Sequence, residues 1–209
     1  MEATRPWRAQ RQSGISEVEA AVFAATDRLL ERMSVGDLSV AQIVKEADIS
    51  RTSFYYYFTS KYAVIAALMG SLQDALTDPF EPLFEAAAGG EPTRNWRPLL
   101  EALAQIYDSH APIIRAAMEH WHELPELRDA WRTSIDRSAT LVSHLIDQQR
   151  DDGVALEGLD SMRLARTVVQ AVQQAWYEAG VEQRPDIDAL IDVSEPIFVM
   201  LNATLYGPE

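Results

Sequence analysis

There is no cysteine in this 209-residue chain, which rules out disulfides and thiolate metal sites and suits a reducing, cytoplasmic setting. Long apolar runs are missing as well. The longest, Tyr62 to Met69, is far too short to span a bilayer, so no membrane partner is expected. No alternating apolar and polar segment marks a strand, and no stretch repeats. Neither a Gly-x-Ser-x-Gly elbow nor a glycine-rich phosphate loop occurs, and no Ser or Thr stands in a recognisable catalytic setting. The chain therefore reads as a non-enzyme with no cofactor. Arg5, Arg8 and Arg11 are not followed by an apolar run, so the first residues do not read as a signal peptide. Positive charge is scarce too. The formal net charge of −14 argues, taken alone, against a nucleic-acid partner. Its distribution reverses that argument. Residues 1–61 hold eight Lys/Arg and eight Asp/Glu, whereas residues 62–209 hold ten and twenty-four. An acidic body repels a polyanion, and only the balanced head can approach one.

What is present is helical periodicity. Ser16 and Glu19 form a capping box ahead of Val18, Val22, Ala25, Leu29 and Met33, a first helix that stops near Gly36. Ser39 and Gln42 form a second box, with Val40, Ile43, Val44 and Ala47 as its apolar stripe. A third helix is predicted over 51–58 and a fourth from Lys61 to about Asp78. Pro79, Pro82 and the 86–92 segment mark a break. Further helices are predicted over 95–109, 113–121, 125–150, 161–179 and 186–205, with Pro196 placed to kink or break the last. The expectation is thus an all-α chain of about nine helices.

The stretch Asp48-Ile-Ser-Arg-Thr-Ser-Phe-Tyr-Tyr-Tyr-Phe-Thr-Ser-Lys61 organises the head. Its aromatics would suit a strand. Ser50 as an N-cap, and Phe54 and Phe58 four apart on one face, argue for a helix. So short a helix needs a partner, and the helix before it, joined through Asp48, makes a helix-turn-helix. Here the sequence resembles the TetR family of bacterial one-component transcriptional regulators. The motif runs Ile43-Val-Lys-Glu-Ala47-Asp-Ile-Ser50-Arg-Thr-Ser-Phe54-Tyr55-Tyr-Tyr57-Phe58-Thr-Ser-Lys61, with Asp48 and Val44 in place of the usual Gly and Ala. The specific match covers about residues 16–70.

The resemblance implies three parts: a flexible basic arm over 1–13, a DNA-binding helix-turn-helix head over 14–61, and a ligand-binding and dimerisation bundle over 62–209. It implies base contacts from Arg51, Thr52, Ser53 and Tyr56, and phosphate contacts from Tyr55, Tyr57 and Lys61, with Ser39 and Gln42 adding more. The spacing of Trp96, Tyr107 and Trp131 resembles the EthR-like branch, whose body holds an apolar tunnel. That implies an effector pocket lined by Trp96, Leu99, Leu103, Tyr107, Trp131, Ile135, Gln170, Gln173 and Trp176. It also implies a homodimer paired through the last two helices, with Val172, Trp176, Ile197, Met200, Leu201 and Leu205 as candidates. The partners implied are a double-stranded palindromic operator, a small apolar effector and a second copy. The reading is a repressor; a ligand that favours DNA binding also fits.

Two other readings stand beside this one. One is a small-molecule-binding or enzymatic bundle in which the helix-turn-helix is only structural. The other is a protein adaptor whose apolar last helix recruits a different chain. His120-Trp-His122, with Glu119 and Glu123, suggests a metal cluster, but residues two apart on a helix face apart, so no metal is expected.

Overall fold

The structure is a computed structural model and describes residues 16–88, 94–122, 124–180 and 185–207. The basic arm expected over 1–13 lies outside them. The described elements are α1 (Glu17–Leu30), α2 (Val40–Glu46), α3 (Arg51–Tyr57), α4 (Lys61–Ala75), α5 (Glu81–Ala88), α6 (Arg97–Ser109), α7 (Ala111–His120), α8 (Pro125–Asp151), α9 (Ser161–Ala179) and α10 (Ile187–Tyr206), with a 3-10 turn at Asp78–Phe80. The fold is all-α. Two compact units divide between Val64 and Ile65.

In the first unit, side-chain caps set where the helices begin. Ser16 Oγ accepts from the Glu19 N–H at 3.2 Å while the Ser16 N–H donates to Glu19 Oε2 at 3.0 Å. Ser39 and Gln42 repeat this reciprocal arrangement at the start of α2. Each box satisfies donors that a helix N-terminus leaves free. The α2–α3 turn rests on Asp48, the one described non-glycine residue with positive φ, at 53°. The Ile49 N–H bonds Val44 O and the Asp48 N–H bonds Lys45 O, which closes α2 as a Schellman motif. A left-handed Asp is strained where Gly is not. Asp48→Gly is therefore expected to raise stability by about 0.5–1 kcal/mol, read as the shift in a urea unfolding midpoint. Val22, Ala25, Leu29, Leu38, Ile43, Phe54 and Phe58 fill the centre of this unit.

The second unit is built from the long helices. Leu100, Ala104, Tyr107, Ala111, Val172, Trp176, Leu190 and Ile191 form one buried cluster, joining α6 and α7 to α9 and α10. Among the described residues ten α-helices stand where about nine are expected, the addition being α5. The prolines read as a break lie in a 3-10 turn and at the second position of α5, where a missing N–H costs nothing because first-turn donors are unpaired in any case. Pro196 does not break α10, which continues from Ile187 to Tyr206. At the C-terminal end of α10, the Tyr206 hydroxyl donates to Gln149 Oε1 at 2.8 Å and the Leu156 N–H donates to Leu205 O at 2.6 Å. These bonds tie α10 to the end of α8 and the loop after it.

Candidate nucleic-acid interface

The amphipathic division of α3 produces the site. Phe54 is fully buried and Phe58 nearly so, and Phe58 meets Phe23 of α1 with ring centroids 5.7 Å apart. With that face held, the other is turned to solvent. Tyr55, Tyr56 and Tyr57 are 51%, 82% and 39% exposed. Arg51 and Thr52 are exposed at the N-terminus of the helix, and Arg51 has no ion pair among the described residues. Ser53 is half-buried; its N–H and hydroxyl both meet Ser50 Oγ, at 2.9 and 2.8 Å. The surface thus carries one cation, two hydroxyl residues and three phenols on a capped helix of two turns. Such groups can donate to phosphate oxygens and to base edges.

Besides Ser53, three of the expected contact residues are occupied within the unit. Gln42 Oε1 accepts from the Ser39 N–H and hydroxyl, and Gln42 Nε2 lies 3.6 Å from Met33 Sδ. The Lys61 ammonium donates to the carbonyls of Val35, Gly36 and Leu38 at 2.6, 3.2 and 2.6 Å. An ammonium has three donors, and all three are used. This geometry makes Lys61 a clamp on the α1–α2 turn. Lys61→Met is expected to lower stability by about 1–3 kcal/mol in a melt without DNA, because three carbonyls lose a charged donor. The salt slope of DNA binding should stay unchanged, whereas loss of a phosphate contact would lower it by about one. Arg28 and Arg32 are also engaged, both with Glu46. The Arg28 hydrogen bond to Glu46 holds that carboxyl below its ordinary value. A depressed carboxyl contributes stability above its unfolded pKa that is lost as pH falls through the folded value.

In the body, most residues expected to line a pocket are buried. Trp96, Leu99, Tyr107, Trp131 and Ile135 are each 9% exposed or less, and Leu103 packs against the cluster described above. Trp96 Nε1 donates to Asn202 Oδ1 at 2.9 Å and its ring lies 5.2 Å from that of Phe198. The Tyr107 hydroxyl donates to Trp176 O, and burial pushes its pKa up. Gln173 Oε1 is buried without a hydrogen-bond partner among the described residues. Gln170, by contrast, is exposed on α9 and is not part of this interior.

The residues expected at a dimer face divide. Val172, Trp176, Leu201 and Leu205 are buried in their own chain, because Leu201 and Leu205 share the α10 face of Leu190 and Ser194. Ile197 is half-buried against the same cluster. The outward face of α10 carries Val193, Val199 and Met200, exposed by 38%, 60% and 63%. Phe198, Asn202 and Ser194 were not singled out from the sequence. Ser194 and Asn202 stand eight apart on one apolar helix, and that spacing was the available signal. Among the described residues no cluster of His, Asp and Glu is arranged to hold a metal.

A capped helix-turn-helix followed by an all-helical body defines a class, the one-component DNA-binding regulators. The family model described as bacterial regulatory proteins, tetR family, matches residues 22–68, and that of the transcriptional regulator EthR C-terminal domain matches residues 96–207. The chain belongs to the TetR family, in its EthR-like branch. It is a ligand-responsive DNA-binding regulator and not an enzyme. The HTH-type regulator EthR of Mycolicibacterium smegmatis is 28% identical over 200 residues, covering 96% of this chain and 91% of the relative. EthR of Mycobacterium tuberculosis is 27% identical over 180 residues, covering 86% and 83%. FadR of Thermus thermophilus, a TetR-family repressor solved in complex with lauroyl-CoA, superposes with a TM-score of 0.64 at 18% identity, covering 87% of this chain and 93% of that one.

Proposed function

We propose that the protein is a homodimeric repressor that binds a palindromic operator and is released by a small apolar effector. The observation that carries this reading is the division of α3 between a buried phenylalanine face and an exposed face of Arg51, Thr52 and three tyrosines. Arg51 is the candidate for a guanine edge, with Thr52, Ser53 and Tyr56 as further base contacts and Tyr55 and Tyr57 on phosphates. The arm over 1–13 adds Arg5, Arg8 and Arg11, the segment 14–61 is the reading head, and 62–209 holds effector and partner. One α3 reads only a few base pairs, so two heads take successive major grooves about 34–36 Å apart.

Support for an apolar effector comes from the interior of the body. Trp96, Leu99, Leu103, Tyr107, Trp131 and Ile135 offer rings and aliphatic surface, and the Trp96 N–H and Tyr107 hydroxyl are satisfied by protein acceptors. Gln173 is the polar group left to orient a ligand. The lauroyl-CoA complex of FadR is a precedent for an acyl chain in this fold. Effector and operator binding are then coupled reciprocally, by ~1–3 kcal/mol as is typical. Such a regulator acts in the cytoplasm, where its operator is.

The test is binding to DNA flanking the protein's own gene at two salt concentrations. Affinity should fall steeply with salt. Arg51→Ala should weaken operator binding by roughly 5–150-fold, with the fold and oligomeric state intact, as expected for a lost bidentate base contact. Salt-independent or absent binding would leave a small-molecule-binding bundle as the reading.

A further inference from the structure

Among the described residues, the large apolar side chains left exposed fall into three groups of three. Tyr55, Tyr56 and Tyr57 stand on the solvent face of α3, and Val193, Val199 and Met200 on the outward face of α10. The third group has no part in binding operator or effector as read above. Leu156, Leu159 and Met162 are 53%, 64% and 36% exposed, and all lie where α8 passes into α9. Single exposed leucines are ordinary, whereas three large apolar side chains so close in the chain make a patch.

The loop that carries them is pinned. Gly153, at φ 70°, closes α8 as a Schellman motif, with its N–H on Arg150 O and the Val154 N–H on Gln149 O, both at 2.8 Å. The Leu156 N–H is held by Leu205 O. Arg150 Nε donates to Leu156 O at 3.0 Å, and its Nη1 to Leu159 O and Ser161 Oγ, each at 2.9 Å. Asp160 Oδ1 accepts from the Arg163 N–H at 2.9 Å and caps α9. One guanidinium thus gathers the carbonyls of two of the three apolar residues and holds them on a fixed frame. A surface ordered before binding avoids the entropy cost of ordering it.

Beside the patch runs a groove of about 450 Å³, lined by Leu159 and Met162 and by the buried Ser143 and Ser161. A wall as exposed as Leu159 does not enclose a free ligand; it suits side chains delivered by a larger partner. The charge around the groove is one-sided. Asp147 and Asp160 line it, and Asp151, Asp152 and Glu157 stand exposed on the adjoining turn. None of these five carboxylates has an ion pair among the described residues. Of the cations nearby, Arg150 is committed to the acceptors of the loop, which leaves Arg163 and the groove residue His144 against five acids. Such a surface complements a cationic partner and repels an anionic one.

We infer that this end of the body is a docking surface for a basic amphipathic helix of another protein. Its apolar side chains seat on Leu156, Leu159 and Met162, and its lysines and arginines meet the surrounding carboxylates.

The experiment uses the full-length chain and fluorescence anisotropy. The probe is a labelled peptide with leucines spaced three and four apart and lysines at the flanking positions. Two relatives carry glutamate for every lysine or serine for every leucine. The lysine–leucine peptide should bind, less tightly as salt rises, and each relative should bind about tenfold or more weakly. Leu159→Ser combined with Met162→Ser should weaken the first peptide by a similar factor. Asp147→Asn combined with Glu157→Gln should flatten the salt dependence. All four side chains are exposed, and circular dichroism checks that the helices are retained. Val199→Ser on α10 is the contrast and should leave peptide affinity unchanged. The docking surface is overturned if none of the peptides binds, if all three bind alike, or if Val199→Ser weakens binding and the Leu159 and Met162 pair does not. A changed sedimentation behaviour of the Leu159 and Met162 variant would make the patch an interface between copies of this chain, and would overturn the proposal as well.

Discussion

Phe54→Ala is expected to unfold the helix-turn-helix. Phe54 is fully buried, and its ring meets those of Phe58 and Tyr55 at 5.7 and 5.4 Å. Removing such a ring costs about 3–5 kcal/mol through lost transfer energy and the cavity left behind. The unit it supports is small, and small units bury too little surface to absorb such a loss. Amide hydrogen exchange provides the measurement. Protection over α2 and α3 should collapse toward that of an unfolded chain, while α9 keeps its protection. DNA binding should vanish with it, although Phe54 itself faces away from solvent. Tyr56→Ala is the contrast. At 82% exposure it should leave exchange unchanged. Retained protection in the Phe54 variant would place the centre of the head elsewhere.

The head was legible in the sequence because its determinants are local. A serine cap, a glutamine three residues on, a left-handed turn position and a pair of phenylalanines four apart each act within one turn of helix. Such rules reproduce both capping boxes and the start of α3. What they miss is contact across the unit. Lys61 reaches carbonyls more than twenty residues away, and no local pattern marks it as a clamp. The family motif explains why a lysine belongs there in chemical type, yet the geometry assigns its donors to the α1–α2 turn.

The body was legible in outline and not in its faces. Periodicity found the long helices because each carries an apolar stripe. It found the interruption at Pro79, which lies in the 3-10 turn after α4, but missed α5, whose Pro82 occupies a first-turn position that tolerates it. It also failed to say which side of α10 turns inward. The exposed side of that helix mixes Asp192 and Glu195 with Val193, Val199 and Met200, and the helix is long and apolar enough to cross a membrane by length and composition, with 28% of the most apolar window buried. Where apolar residues stand on both the inner and the outer side, the hydrophobic pattern orients a helix only weakly. Hydrogen bonds settle it. Ser194 and Asn202 are the polar residues that face the interior tryptophans.

Trp176 tests that orientation most directly, since the sequence offered it both to an effector pocket and to a dimer face. In the structure it is 5% exposed, its N–H donates to Leu190 O and Ser194 Oγ at 2.8 and 2.7 Å, and Tyr107 meets it edge-on at 5.2 Å. Trp176→Ala should therefore cost about 3–5 kcal/mol, the usual loss for a buried ring. In a chain of this length that corresponds to a fall in melting temperature of roughly 2–4 °C per kcal/mol. Trp176→Phe should cost distinctly less. Ser194 Oγ already donates to Leu190 O at 2.8 Å, so removal of the indole N–H leaves that carbonyl with a donor. The alanine cavity would be lined by Leu100, Tyr107, Leu190 and Ile191 with Ser194 Oγ in its wall, an apolar space with one acceptor that suits an aromatic guest carrying an N–H. Added indole should then restore part of the lost melting temperature in the alanine variant and change the wild type little. Equal and small losses in both variants, with no rescue, would move Trp176 out of the core and back to a surface that a partner covers.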